Sequence, residues 1–230
     1  RLLCDFDFVV ANGDYSCNSR FVGVSDDGAC ESVRQCLGKL RQGFGPNFRA
    51  IYGDHELGKV TFGGRGGMRL ASWRRAREEL ELQPFWQVNL GNYVLMGVVS
   101  TLLALPAFAA DMLPEERSGW EAARAQHLKQ LGAAFCALRP EQRVLLFCHD
   151  PTALPFLWRE AEVRARLGQI EYTIIGHLHS RLIWWLSQRL AGMPNLRFLG
   201  HTVRRLSHGL NEAAHWREFQ VRLCPSLAGI

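Results

Sequence analysis

Short apolar runs recur along the chain, and each is followed by a turn that carries an acidic residue or a histidine. Four such runs cover residues 8–11, 48–52, 144–147 and 171–175. Short, mostly apolar runs of this length are typical of buried strands in a parallel sheet. Segments with helical spacing of apolar residues alternate with them. This alternation predicts an α/β fold assembled largely from βαβ units.

The remaining elements follow from the same patterns. Helical spacing predicts helices over residues 31–41, 70–82, 115–138 and 157–167, with His127 on the packed stripe of the third helix. Residues 86–90 and 93–99 flank Gly91-Asn92 and predict a β-hairpin. The weakly polar run 93–110 predicts a buried strand followed by a loop. Residues 182–190 favour a strand or a short helix, and residues 196–199 and 219–223 favour closing strands.

Composition narrows the class of protein. The 230 residues are 47% hydrophobic and 21% charged, which fits one domain over residues 1–230. No uncharged apolar run reaches the roughly 18 residues that span a bilayer. The net charge of +5 is spread along the chain, so a nucleic-acid partner is compatible with the sequence but not indicated. Nothing in the sequence indicates an oligomeric state.

Cysteine usage bears on the compartment. The seven cysteines are an odd number without a CxxC pair, and Cys136 and Cys148 lie in apolar contexts typical of packed thiols. This pattern favours a reducing compartment, and we therefore expect a cytoplasmic protein. Cys17 and Cys30 lie in a polar stretch and could pair if the protein were exported.

Acidic residues and histidines at the strand ends are the candidate chemistry. Asp14, Asp54, His149 and His177 each follow one of the four apolar runs. Because the carboxyl ends of parallel strands meet at one edge of a sheet, we expect these side chains to converge. Carboxylate oxygen and imidazole nitrogen together suit Mn, Fe or Zn. The sequence thus predicts a metal site.

The order of these residues resembles that of a known family. Calcineurin-like metallophosphoesterases carry the blocks D-x-H, G-D, G-N-H-[DE], a single H, and G-H-x-H. The last four have counterparts here: Gly13-Asp14, Gly53-Asp54-His55-Glu56, His149, and Gly176-His177-Leu178-His179. The resemblance covers nearly the whole chain. It implies a four-layer α/β/β/α sandwich of two mixed sheets flanked by helices.

The resemblance also implies an activity. It implies hydrolysis of a phosphate ester, such as a phosphomonoester, phosphodiester or nucleotide-like substrate, by a metal-activated hydroxide between two divalent ions. Asp14 would bridge both ions, and Asp54, His149 and His177 would complete one site. His179 would belong to the other site, and His55 would be the general acid.

Two departures from the family pattern leave alternatives open. Asp54 stands where the family has Asn, which adds a negative charge to a site for an anionic substrate. The D-x-H block is missing, and we expect that the chain begins after the strand that carries it. Asp5-Phe6-Asp7 is a weak substitute. The alternatives are a catalytically impaired protein with a binding or regulatory role, or a nuclease of the same fold.

Other conspicuous segments receive structural interpretations. The basic segment 73–77 would suit a nuclease groove, but a solvated helix face is the more economical interpretation. Residues 63–67 predict a glycine-rich loop near the site and lack the pattern of a phosphate-binding P-loop. We expect His127 to be a packing residue. Surface roles are expected for His201, His208 and His215.

Overall fold

The computed structural model describes residues 8–16, 23–58, 66–177, 189 and 213–224. Within these ranges the chain forms a mixed α/β fold with two sheets. The strands are β1 (Val9–Ala11), β2 (Phe48–Ala50), β3 (Trp86–Leu90), β4 (Tyr93–Val98), β5 (Arg143–Cys148), β6 (Ile170–Ile175) and β7 (Val221–Leu223). The helices are α1 (Asp27–Phe44), α2 (Asp54–Leu57), α3 (Leu70–Glu78), α4 (Ser100–Leu103), α5 (Arg117–Cys136), α6 (Leu154–Arg159) and α7 (Ala161–Arg164). The predicted elements at residues 182–190 and 196–199 fall outside the described ranges, apart from residue 189.

Strand directions bring several loops to a common edge. β1 and β2 form a parallel pair, and the larger sheet has the order β3-β4-β5-β6-β7. β3 and β4 are antiparallel, which confirms the predicted hairpin, whereas β4 to β7 run parallel. The carboxyl ends of β4, β5, β6 and β7 therefore lie at the same edge of the larger sheet.

Local signals beyond the apolar stripe set the length of α1. The Asp26 carboxylate accepts a hydrogen bond from the Ala29 N–H at 2.8 Å and caps the first turn. Gly45 ends the helix with a φ of 55°, a left-handed conformation that glycine adopts without strain. The helix consequently begins four residues before the predicted range 31–41 and ends three residues after it.

Aromatic residues join α3 and α5 to the smaller sheet. Trp73 lies 5.3 Å from Tyr52 and 6.2 Å from Trp120, measured between ring centroids. Trp120 belongs to the predicted stripe of α5, whose members Leu131 and Phe135 are also fully buried. Cys136 is exposed, contrary to the expectation of a packed thiol, because one step along the helix from Phe135 turns it away from the stripe.

Two sequence predictions were wrong in detail. The predicted loop after β4 is helical, with α4 followed by a 3-10 turn at Leu105–Asp111. All four residues of α4 are buried, so their backbone groups need internal partners, and the Ala104 N–H donates to the Ser100 carbonyl at 2.9 Å. The single helix predicted over 157–167 is instead divided into α6, α7 and a 3-10 turn at Leu167–Gln169.

A small apolar cluster joins the two sheets. Ile51, Trp86 and Leu95 are buried together, and the Trp86 indole N–H donates to the Ala50 carbonyl at 2.9 Å. A cavity of about 470 Å³ with mostly apolar walls opens beside this cluster, between β1 and the larger sheet. Across the described ranges, none of the helices has both the length and the apolar character that crossing a bilayer requires.

His127 packs inside the fold, as its place on the stripe of α5 predicts. It is 1% exposed, and its Nε2 accepts a hydrogen bond at 3.1 Å from the Val99 N–H, directly after β4. An imidazole that accepts through Nε2 is neutral. Burial lowers the pKa of His127 from its ordinary 6.5 to about 4.

We expect His127 to make the fold acid-sensitive. Between pH 6.5 and about 4 the unfolded chain protonates this imidazole and the native state does not, so stability falls as the pH falls. The full loss is about 3 kcal/mol. His127→Gln, which keeps an acceptor but does not titrate, should gain up to that amount relative to wild type between pH 7 and pH 4. Urea unfolding at both pH values measures the difference, and His215→Gln, at a half-buried histidine away from His127, should retain the wild-type acid loss.

Candidate metal centre

Four strand ends converge at the junction of the two sheets. Asp14 follows β1, Asp54 follows β2, His149 follows β5 and His177 follows β6. One ligand atom from each residue lies within 4.8 Å of the others. The predicted convergence of these four residues is therefore confirmed. The fifth predicted ligand, His179, lies outside the described residues, as do Asp5 and Asp7.

His149 is at the centre of the group. Its Nε2 lies 3.1 Å from Asp14 Oδ2 and 3.4 Å from Asp54 Oδ1. His177 approaches the same Asp54 oxygen, with its Nδ1 at 3.3 Å. The His149 side chain is 1% exposed and that of His177 is 30% exposed, so the cluster opens to solvent on the His177 side.

A main-chain contact fixes which nitrogen of His149 faces the carboxylates. Its Nδ1 lies 2.6 Å from the carbonyl oxygen of Asn12, and only an N–H can join a ring nitrogen to a carbonyl. In the neutral imidazole the lone pair is then on Nε2, which faces the carboxylates of Asp14 and Asp54. A ligand histidine whose second nitrogen is held by a carbonyl is the usual arrangement at protein metal sites.

The imidazole nitrogens of His149 and His177 lie close to carboxylate oxygens, but the angles between them do not suit hydrogen bonds. Among the described residues, neither His149 Nε2 nor His177 Nδ1 has a partner with hydrogen-bond geometry, although carboxylate oxygens lie within ion-pair distance of both. The two ring nitrogens and the carboxylate oxygens of Asp14 and Asp54 thus face a common point. A cation at that point would accept lone pairs from all four residues.

The electrostatics of the cluster favour positive charge between the carboxylates. Burial opposes charge on His149, but the close carboxylates of Asp14 and Asp54 outweigh it and raise the His149 pKa well above its ordinary value. Burial also opposes ionisation of Asp54, yet the neighbouring histidines hold its pKa well below its usual range. The pKa of Asp14 is lowered in the same way, chiefly by His149. A divalent ion would replace these shared protons.

Glycines let the ligand loops touch backbone to backbone. A Cβ atom on Gly13 would lie 2.6 Å from the Gly53 nitrogen and 2.7 Å from His149 Nδ1. A Cβ atom on Gly53 would overlap the Asp14 carboxylate, and one on Gly176 would lie 2.8 Å from the Asn12 carbonyl oxygen. The glycines that precede Asp14, Asp54 and His177 are therefore required sterically, because a larger residue at any of them would collide with a neighbouring ligand loop.

Glu56 joins the two aspartate loops. It is fully buried, and its carboxylate accepts hydrogen bonds from the backbone N–H groups of Asp14 at 3.0 Å, Tyr15 at 2.9 Å and Gly53 at 2.8 Å. Burial first, and then the charge of Asp14, raises the pKa of Glu56 to about 7, whereas the three donors act in the opposite direction. From the sequence, Glu56 was noted only as the last residue of the motif Gly53-Asp54-His55-Glu56, and no role was predicted for it.

Asn12 was also missed by the sequence analysis. Its carbonyl oxygen faces His149, and its side-chain amide donates to the Ile174 carbonyl at 3.3 Å, which links β1 to β6. No sequence signal marks a residue that acts through its main chain. The place of Asn12 directly before Gly13 is the clue that could have suggested a role.

His55, the predicted general acid, lies directly beside the cluster. It follows Asp54 in the first turn of α2, and its backbone N–H donates to Asp14 Oδ1 at 3.1 Å. The side chain is partly exposed. This places the residue next to two of the four candidate ligands, while its role as an acid stays a prediction.

The other predicted features lie in structural settings. Trp73 is buried, and Arg75 pairs with Asp27 and Glu79 at 2.7 Å each, as expected for a solvated helix face. The expected surface role of His215 was wrong: the side chain is half-buried because it stacks on Trp158 with ring centroids 4.6 Å apart. His201, His208 and residues 63–65 of the glycine-rich loop lie outside the described residues.

Comparison with known proteins adds no family assignment. Neither the scan against protein-family models nor the search of curated proteins finds a match to this chain. The case for a function therefore rests on the site. Its buried Asp/His cluster could hold a metal ion, and Asp14, Asp54, His149 and His177 are the residues that would bind it.

We expect divalent metal to stabilise the fold. At about 100 times its Kd, a bound ion adds about 2.7 kcal/mol to the free energy of unfolding. Thermal unfolding with Mn²⁺ or Zn²⁺ should therefore give a higher midpoint, and a chelator should reverse the change. His149→Asn should remove the effect and His215→Asn should keep it. An unchanged midpoint for wild type at millimolar metal would contradict the assignment.

A second prediction concerns the contact between the ligand loops. Gly13 has a φ of 88° and touches Gly53, so Gly13→Ala adds left-handed strain and a steric clash. We expect a loss of about 2 to 4 kcal/mol in the free energy of unfolding, measured with urea. Gly38→Ala is the matched control, because Gly38 is exposed within α1 and an added methyl meets only open space among the described residues. It should stabilise the protein by about 0.5 to 1 kcal/mol.

Proposed function

We propose that this protein is a metal-dependent phosphoesterase of the calcineurin-like type. The observation that carries the proposal is the convergence of Asp14, Asp54, His149 and His177 at four strand ends, with His55 beside them. Two carboxylates and two imidazoles form a ligand set for Mn, Fe or Zn. The order of the residues along the chain is the order in which that family carries its ligands.

The architecture supports the proposal at a coarse level. Two sheets meet at the cluster, and α5 and α6 belong to the crossovers between parallel strands of the larger sheet. The full four-layer α/β/β/α sandwich is part of the proposal. A second metal ion is also only proposed. The described residues supply ligands for one ion, and His179 would have to contribute to the second.

The proposed reaction is attack of water on a phosphate ester. Asp14, Asp54, His149 and His177 would hold a divalent ion, which would supply polarisation of phosphoryl oxygens and a lowered pKa for water. Water first loses a proton to solvent, and the bond from phosphorus to the ester oxygen breaks as a bond to the resulting hydroxide oxygen forms. The leaving oxygen then needs a proton, and His55 is the proposed donor because it is partly exposed at the first turn of α2.

Asp54 gives the proposed enzyme an unusual charge balance. A carboxylate at this position adds to the negative charge of Asp14, and the pKa of each is held low by the histidines. Such a site should hold a divalent cation firmly. The same charge opposes the approach of an anionic phosphate, which is the physical basis for the alternative of a metal-binding protein with impaired catalysis.

Activity of single variants tests the proposal. The protein should hydrolyse a chromogenic phosphomonoester or phosphodiester when Mn²⁺ is added. His55→Asn should lower kcat by about 10²- to 10⁴-fold, because it removes only the proton donor, and should leave metal affinity near that of wild type. Asp14→Asn should lower both activity and metal affinity, because it removes a ligand.

Three outcomes separate the possibilities. Unchanged activity in both variants would overturn the mechanism. Metal binding without hydrolysis of either substrate would favour the impaired protein. DNA binding that weakens steeply with salt, together with cleavage, would favour a nuclease.

A further inference from the structure

We propose that Glu56 is a positioning residue that assembles the two aspartate loops into one metal site before metal arrives. The inference rests on the metal centre proposed above and adds a residue that does not itself bind the ion. Glu56 lies two residues after Asp54, and its carboxylate bonds the main chain on both sides of the centre.

Its contacts cross between the loops. One carboxylate oxygen, Oε2, accepts from Asp14 N–H at 3.0 Å and from Gly53 N–H at 2.8 Å. The other oxygen, Oε1, accepts from Tyr15 N–H at 2.9 Å. One side chain therefore holds the main chain next to both aspartates, although the loops are about forty residues apart in sequence.

The conformation of Asp14 requires such support. Its φ is 57°, in the left-handed region that non-glycine residues rarely occupy, and it follows Gly13, whose φ is 88°. The consecutive N–H groups of Asp14 and Tyr15 point to the same side and leave a small concavity with two donors. The Glu56 carboxylate occupies it, so the carboxylate of Asp14 is left to face His149 at 3.1 Å.

Three facing donors call for a carboxylate. Two carboxylate oxygens offer enough lone pairs for all three N–H groups, and Glu56 is fully buried, so water cannot easily replace them. The amide of glutamine has one oxygen and presents an NH₂ group to donors. We call these three hydrogen bonds from Asp14, Tyr15 and Gly53 to the Glu56 carboxylate the clamp. Glutamine at position 56 should therefore break part of the clamp, whereas aspartate keeps the charge but is one methylene shorter.

Amide hydrogen exchange on the metal-free protein tests the clamp directly. The amides of Asp14, Tyr15 and Gly53 should be protected in wild type and should exchange faster in Glu56→Gln, while the amides of β5 keep their protection. Glu116→Gln is the matched control. Glu116 also accepts a main-chain hydrogen bond, from Leu70 N–H at 2.8 Å, but it does so at the start of α3.

Metal affinity tests the purpose of the clamp. Titration calorimetry with Mn²⁺ should give a Kd about 10- to 100-fold higher for Glu56→Gln, as is typical when an outer partner of a metal ligand is lost. The Kd of Glu56→Asp for Mn²⁺ should lie between those of wild type and Glu56→Gln. Glu116→Gln should leave the Kd unchanged even if it lowers the unfolding midpoint, which separates positioning from general stability.

The outcomes are distinct from those of the activity assay. Unchanged exchange at the three amides in Glu56→Gln overturns the proposal, and so does faster exchange with an unchanged Kd. If wild type binds Mn²⁺ without hydrolysing phosphate esters, the phosphoesterase proposal fails while the clamp stands on its own two measurements. If wild type binds no Mn²⁺, both the metal function and the positioning role are overturned. Should Glu56→Gln fail to fold, Glu56→Asp carries both measurements.

Discussion

Negative charge gathered around one buried imidazole is the constraint that organises this structure. Asp14 and Asp54 both approach His149 Nε2, and Glu56 adds a third carboxylate behind Asp14. Carboxylates brought this close in a buried place repel one another and lose hydration, so each needs a compensating partner. The partners are imidazole nitrogens for the two aspartates and main-chain N–H groups for Glu56. A divalent cation would complete that balance.

The main chain around the site follows from this requirement. Each ligand loop must approach the others closely enough for its side chain to reach the centre, and glycine is what permits the approach. The same loops connect the two sheets and also neighbouring strands of the larger sheet. The Asn12 amide bonds the carbonyl of Ile174 in β6, and the carbonyl of His149 accepts from the N–H groups of Gly176 and His177 at 3.0 Å each. The same residues therefore form the site and pack the two sheets together. Binding of a metal ion at the site should consequently raise the free energy of unfolding.

Sequence patterns were informative where a single physical effect dominated. The four strands, the β3-β4 hairpin and the stripe of α5 were predictable because apolar content and turn chemistry set them locally. Contrary to the expectation, the strands are not fully buried: β1 is half-buried throughout, and β5 and β6 mix buried with partly or fully exposed residues. The convergence of Asp14 with Asp54, and of His149 with His177, was predictable because each pair follows two neighbouring parallel strands of one sheet. The meeting of the two pairs was not, because it depends on how the two sheets pack against each other. The helical path after β4 was not, because a buried apolar run without periodicity does not distinguish a loop from a tight helix.

What the sequence could not reveal depends on tertiary contacts. Asn12 acts through its carbonyl, and Glu56 acts on the main chain of a distant loop, so neither has a local signature. The extra length of α1 came from Asp26 and Gly45, which lie outside its apolar stripe. Predicting such features requires knowing which backbone groups are left without partners in the assembled fold.

The short turn at Asp54–Leu57 has a consequence for how this site could change. Three consecutive residues there supply a candidate ligand, a candidate proton donor and the clamp, and their relative directions are set by one turn of helix. Metal preference, proton transfer and loop geometry therefore cannot be adjusted independently by substitutions within it. Variation that tunes the chemistry without disturbing the scaffold should fall instead on the solvent side of the cluster, around His177.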